Sequence, residues 1–78
     1  MEGISKENIN QVYTALIQQR GGWWIGWVEE IPGVNCQEKS REELAETLTI
    51  TLKEALAFNR QEAVRAAEEG YQEILIQV

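Results

Sequence analysis

The sequence contains no histidine and no aspartate, and all 13 of its acidic residues are glutamate. Cys36 is the single cysteine and Pro32 the single proline. Each absence removes a chemistry. Without an imidazole, no base stands ready to turn Cys36 into a nucleophile. A zinc site would have one thiolate and no nitrogen ligand. A lone cysteine closes no internal disulfide, which points to a reducing compartment. No apolar run approaches the roughly 20 residues that a helix needs to cross a bilayer. The opening stretch MEGISKENIN also lacks the apolar centre of a secretion signal. The expectation is a soluble, cytoplasmic protein. Basic residues are scarce as well, 7 against 13 acids, for a net charge of −6. Nucleic-acid phosphates and anionic membranes call for a cationic face, so neither is expected as a direct partner. A basic protein partner fits this balance.

What the chain does have is concentrated in Trp23–Gly33, WWIGWVEEIPG, which holds all three tryptophans and the only proline. Seventy-eight residues make one domain, 1–78, whose small core leaves it dependent on each buried ring. Residues 1–9 read as a loosely docked leader. NQVYTALIQQR, residues 10–20, is rich in extended-backbone formers and predicts a first strand apolar on both faces. Gly21-Gly22 predicts a two-residue hairpin, because glycine accepts positive φ without penalty. The second strand, residues 23–29, places Trp23, Ile25 and Trp27 on one face and Trp24, Gly26 and Val28 on the other. Neither face is polar, and Gly26 among the rings signals a close approach by a neighbour. Pro32-Gly33 carries the residues of a type II turn, and Val34–Gln37 predicts a short third strand. Cys36 then reads as a small buried hydrophobe.

Ser40-Arg41-Glu42-Glu43 has the spacing of a capping box. Beyond it, Leu44, Leu48, Leu52 and Leu56 form one apolar stripe with Ala45 and Ala55. Leu48-Thr49-Ile50-Thr51-Leu52 alone would suit a strand, but the cap before it and the helix formers around it favour a helix. Ile50 falls opposite the stripe, among charges, as a candidate second contact surface. Asn59–Glu62 repeats a cap pattern, so residues 60–69 read as a second short helix or a bent continuation, stopped by Gly70. YQEILIQV, residues 71–78, predicts a last strand.

The order is therefore β-β-β-α-(α)-β. It predicts a two-layer α+β fold, a four-stranded sheet with helices on one face and a crossover returning the last strand parallel to one of the others. A sheet apolar on both sides with cover on only one implies self-association, most simply a two-fold homodimer or a higher homo-oligomer.

Taken together, Tyr13–Gln19, Gly22–Val28, Ile31-Pro32-Gly33 and Ser40 through Leu56 resemble the HicB-like antitoxin family. That pattern is a strand, an aromatic strand ending in Pro-Gly, a short strand, and a Leu/Ala-rich helix opened by Ser or Thr and two acids. The chain departs from it at Glu29-Glu30, where the family usually has Pro-Asp. It departs again at Val34, with Cys36 two residues late, and at Glu38, where the family has glycine. The resemblance implies a truncated RNase H-like sheet without catalytic residues. It also implies a partner, a small basic RNA-cleaving toxin whose active surface is covered. Family members often carry a C-terminal helix-turn-helix or ribbon-helix-helix DNA-binding segment; this chain stops at Val78 after the expected strand, so no DNA binding of its own is expected.

The leading expectation is thus a non-enzymatic, antitoxin-like protein-binding module without cofactor or metal. The alternative is a stand-alone structural or regulatory homo-oligomer. A small-ligand pocket lined by tryptophans is a third possibility. The candidate interface comprises Trp23, Trp24, Trp27, Val28, Glu29, Glu30 and Ile50, with Glu42, Glu43 and Glu46 as further acids that a basic partner would meet.

Overall fold

The computed structural model describes residues 12–77; the expected leader, residues 1–9, and the first two residues of the expected first strand lie outside them. Three strands and one helix follow in order: β1 (Ala15–Arg20), β2 (Trp23–Val28), β3 (Asn35–Glu38) and α1 (Arg41–Ala67). The sheet is antiparallel with the order β1-β2-β3. Its register sets Ile17 opposite Gly26 and Arg20 opposite Trp23 in the first pair, and Gly26 opposite Cys36 in the second. The fold is α+β.

Turn chemistry fixes that register. Gly21 takes φ 58° between the paired Arg20 and Trp23. Gly22 does not share the positive φ, so the hairpin uses glycine's freedom at its first central position only. At the second connection Gly33 takes φ 94° and the Val34 amide donates to the Ile31 carbonyl at 3.4 Å, as a Pro-Gly turn requires.

Side-chain alternation assigns the faces. Ala15, Ile17, Trp24, Gly26, Val28 and Cys36 look toward α1; Leu16, Trp23, Ile25 and Trp27 look away. The core is Val28, Val34, Leu44 and Leu48, all buried, with Tyr13, Ile17, Trp24, Ile31, Leu52 and Ala55 packed around them. Gly26 lets the layers meet. A Cβ there would lie 2.9 Å from Ile17 Cγ2 and 3.1 Å from both Leu48 Cδ1 and the Leu16 carbonyl oxygen. The close neighbours are thus aliphatic groups and backbone, not rings.

Ser40 caps α1 with extended backbone, φ −133° and ψ 159°, and its Oγ accepts from the Glu43 amide at 3.1 Å. The Ser40 hydroxyl also donates to Glu43 Oε1 at 3.1 Å, so the returning bond runs between side chains rather than to the Ser40 amide. The strand-like Leu48–Leu52 is helical. Two of the threonines in this part of the helix tie it to β3: Thr47 Oγ1 donates to Glu38 Oε2 at 2.7 Å, and the half-buried Cys36 Sγ donates to Thr51 Oγ1 at 3.5 Å.

Three expectations need correction. First, α1 is a single unbroken helix, and the cap pattern at Asn59 is unused. No glycine or proline interrupts Ala55–Ala67, so each turn extends the last at no nucleation cost. Second, the sheet has three strands among the described residues, not four. Residues 71–77 form no strand, and Ile74, Leu75 and Ile76 are exposed. Third, β1 does not hide both faces: Leu16 is exposed, and Gln18 and Arg20 share its side.

Only the first half of α1 covers the sheet. Its 27 residues span about 40 Å, and from Ala57 onward every side chain but Val64 is exposed. No described helix is long and apolar enough to cross a membrane.

Replacing Leu48 by alanine is expected to cost about 2–5 kcal/mol through the cavity it leaves. Gly26→Ala is expected to cost about 1–3 kcal/mol by overpacking against a backbone carbonyl that has little room to move. Urea denaturation followed by tryptophan fluorescence measures both; a Gly26→Ala midpoint equal to that of the native chain would show that the layers are not in close contact there.

Candidate functional site: the open face of the sheet

The side of the sheet that α1 leaves bare presents three rows. The middle row is Trp23, Ile25 and Trp27 from β2. Leu16, Gln18 and Arg20 flank it on β1, Asn35 and Gln37 on β3. Trp23 is 39% exposed and Trp27 36%, values high enough for a partner to reach both rings, whereas Ile25 between them is half-buried. Four residues along a strand separate the two rings by about 13 Å. The face is thus an apolar spine with polar margins, not the wholly apolar surface expected from the sequence. The difference arises because β1 and β3 turn glutamine, asparagine and arginine to the side where β2 turns indoles.

Charge is distributed unevenly. The strands contain one glutamate, Glu38, and it faces the helix, where Thr47 holds it. The open face of the three strands therefore carries no acid in a chain of net charge −6. At the hairpin end stand Arg20 and Lys39, with Lys39 Nζ 3.8 Å from the Trp23 ring centroid. That contact steadies the indole by on the order of 0.5–1 kcal/mol at an exposed site. At the opposite end, just past Trp27 and Val28, the turn brings Glu29 and Glu30.

Glu30 has a second task. The Thr14 amide donates to its two carboxylate oxygens at 2.9 and 3.1 Å, and the Glu29 amide donates to the Thr14 carbonyl at 2.8 Å. The turn after β2 is thereby latched to the residue that leads into β1. The Thr14 amide stabilises the ionised carboxylate and holds the Glu30 pKa below the usual glutamate value.

The structure divides the residues expected at an interface. Trp23 and Trp27 share the open face, and Glu29 and Glu30 stand at its end. Trp24 and Val28 lie on the other side of β2, Val28 buried and Trp24 half-buried against the core. Ile50 is 53% exposed on α1, a full layer away from the tryptophans. Glu42, Glu43 and Glu46 also belong to α1, with Glu43 engaged by Ser40. Among the described residues no group of three or more metal-ligating side chains comes together.

A second feature was not foreseen. A groove of about 300 Å³ runs between β1 and α1, lined by Tyr13, Ala15, Ile17, Leu48 and Leu52 with Arg41 at its rim. No tryptophan lines it. It exists because the helix packs over β2 and β3 and covers the helix side of β1 only in part, with Ile17 half-buried and Ala15 exposed. Thr47 and Thr51, one turn apart, hold α1 toward β3 through Glu38 and Cys36.

Comparison of the chain with family models, with curated proteins and with solved structures found no match.

The Glu30 latch yields a pH dependence. A carboxylate whose pKa is lower folded than unfolded contributes stability above its unfolded pKa and loses it as pH falls through the folded value. Acidification through and below the usual glutamate range is therefore expected to release Thr14. Amide chemical shifts measured against pH should show the Thr14 resonance following a titration midpoint below that of an exposed glutamate. In Glu30→Gln that titration should vanish; a Thr14 profile identical in both proteins would mean that the latch is not formed.

Proposed function

We propose that the chain is a protein-binding module of HicB-like architecture, in which the open face and its acidic end cover a small basic RNA-cleaving protein. The observation that carries this reading is the pair of half-accessible indoles, Trp23 and Trp27, held on a rigid sheet face with no helix above them. Tryptophan is the side chain most often found to dominate a protein interface. A flat apolar spine with polar margins suits a protein surface better than a small molecule, which needs a concavity. The net charge of −6 favours a basic partner, and Glu29 and Glu30 lie where they would steer its approach. In this reading the role is non-enzymatic and cytoplasmic, requires no cofactor, and leaves DNA untouched. In this reading Tyr71–Gln77, which pairs with no strand in the isolated chain, adds a fourth strand once it meets a sheet edge.

One observation favours a second reading, a stand-alone homo-oligomer joined through the same face. Arg20 and Lys39 mark one end and Glu29 and Glu30 the other. Two copies laid face to face in opposite directions would therefore set basic ends against acidic ends.

Co-expression with the product of an adjacent gene, where that gene encodes a short basic protein, tests the first reading. The chain is expected to restore growth and to purify as a complex. A Trp23→Ala, Trp27→Ala double variant should weaken binding by about 2 kcal/mol or more, roughly thirtyfold. Glu29→Gln, which leaves the Glu30 carboxylate on Thr14, should act chiefly on the association rate and its salt dependence. If the native chain neither rescues growth nor binds, while its own self-association falls with added salt, the homo-oligomer reading replaces the antitoxin one.

A further inference from the structure

The groove beside β1 and the exposed segment Tyr71–Gln77 have complementary needs. β1 is an edge of the sheet, and its outer side pairs with no strand among the described residues. Beside that edge the apolar side chains Ala15, Ile17, Leu48 and Leu52 enclose a groove of about 300 Å³. Tyr71–Gln77 is rich in strand formers, and leaves Ile74 75%, Leu75 57% and Ile76 77% exposed. Alternation along an extended segment would turn Ile74 and Ile76 to one side, into the groove, and Leu75 to the other, beside the exposed Leu16.

The reach of the chain favours the groove of a second copy. Arg60 binds Glu73 through two nitrogens, at 2.8 and 3.1 Å, and so fixes the root of the segment to the overhanging half of α1. The helical wall of the groove extends from Arg41 to Leu52. Measured along the helix axis, Leu52 lies about 12 Å from Arg60 and Arg41 about 28 Å. Ile74–Gln77, fully extended, covers about 13 Å. While the ion pair holds, these residues reach only the near mouth of their own groove. Alignment of Tyr71–Gln77 with the whole of β1 in the same molecule requires the pair to break. A second copy is under no such constraint, because the overhanging helix, with Phe58 59% exposed on it, carries the segment outward as an arm.

We propose that Tyr71–Gln77 inserts into the groove of a second copy, pairs with the free edge of its β1, and receives that copy's segment in return. The product is a two-fold dimer joined by exchanged strands, each sheet completed in trans. Exchange uses the helix side of β1 and leaves Trp23 and Trp27 free. It rests on the four-stranded reading of the sheet and needs no toxin.

Light scattering on the purified full chain tests this directly. The native chain is expected at twice its 8.9 kDa. Ile76→Asp alters a side chain that touches little in the isolated chain, and Ala15→Asp places a charge in the groove at an exposed position. Each alone is expected to weaken the dimer at least tenfold while circular dichroism stays native. Mixed in equal amounts, the two variants should recover dimer, because one contributes an intact groove and the other an intact segment. A monomeric native chain would overturn the proposal, as would a dimer that survives Ile76→Asp. Failure of the mixture to recover dimer would also overturn it, and would leave the segment paired within its own chain. None of these outcomes bears on binding of a basic partner, which the growth assay reads separately.

Discussion

The contact on which the molecule depends is the meeting of Leu48 with Gly26. A side chain at position 26 would stand 3.1 Å from Leu48 Cδ1 and 2.9 Å from Ile17 Cγ2, so the absence of one sets the distance between helix and sheet. From that approach follow the burial of Val28, Val34, Leu44 and Leu48 and the seating of Trp24 beside them. It also fixes which tryptophans remain outside. With Gly26 committed to the helix, strand alternation turns Trp23, Ile25 and Trp27 to the opposite side.

The helix that makes this contact is offset. Thr47 reaches Glu38 and Thr51 meets Cys36, so α1 lies toward β3 and covers β1 only in part. Two surfaces remain for other chains, and they differ in kind. The open face has indoles on a rigid sheet, cations at one end and glutamates at the other. The groove is mostly apolar, with Arg41 and Thr49 among its lining, and lies beside a strand edge unpaired among the described residues, where main-chain hydrogen bonds accompany any side-chain packing. A domain with so small a buried core gains more from a neighbour than a larger one would. Both surfaces supply apolar area that the chain alone leaves wet.

Local chemistry was legible in the sequence where one or two residues dictate a conformation. Gly21 and Gly33 set the turns, Ser40 and Glu43 began the helix, and Gly26 announced a close approach. The two tryptophan sets were also separable by alternation. Less was legible where the outcome rests on competition. The helix ran through Asn59 because propagation is favourable and nothing forbids it. The apolar character of Tyr71–Gln77 signalled a strand, but a strand needs an edge to pair with, and propensity does not supply one. The groove could not be read at all, since it is a consequence of where the helix sits.

The sequence by itself determined the first three strands, the start of the helix, their order, the excess of negative charge and the identity of the aromatic strand, because turns, caps and alternation are properties of neighbours in the chain. The tertiary structure alone decided which face of β2 meets the helix. It also gathered Arg20, Lys39, Trp23 and Trp27 onto one side of the sheet and separated Ile50 from them by a layer. Those outcomes depend on packing among residues distant in sequence, where a single missing Cβ and a lateral shift of one helix outweigh any local preference.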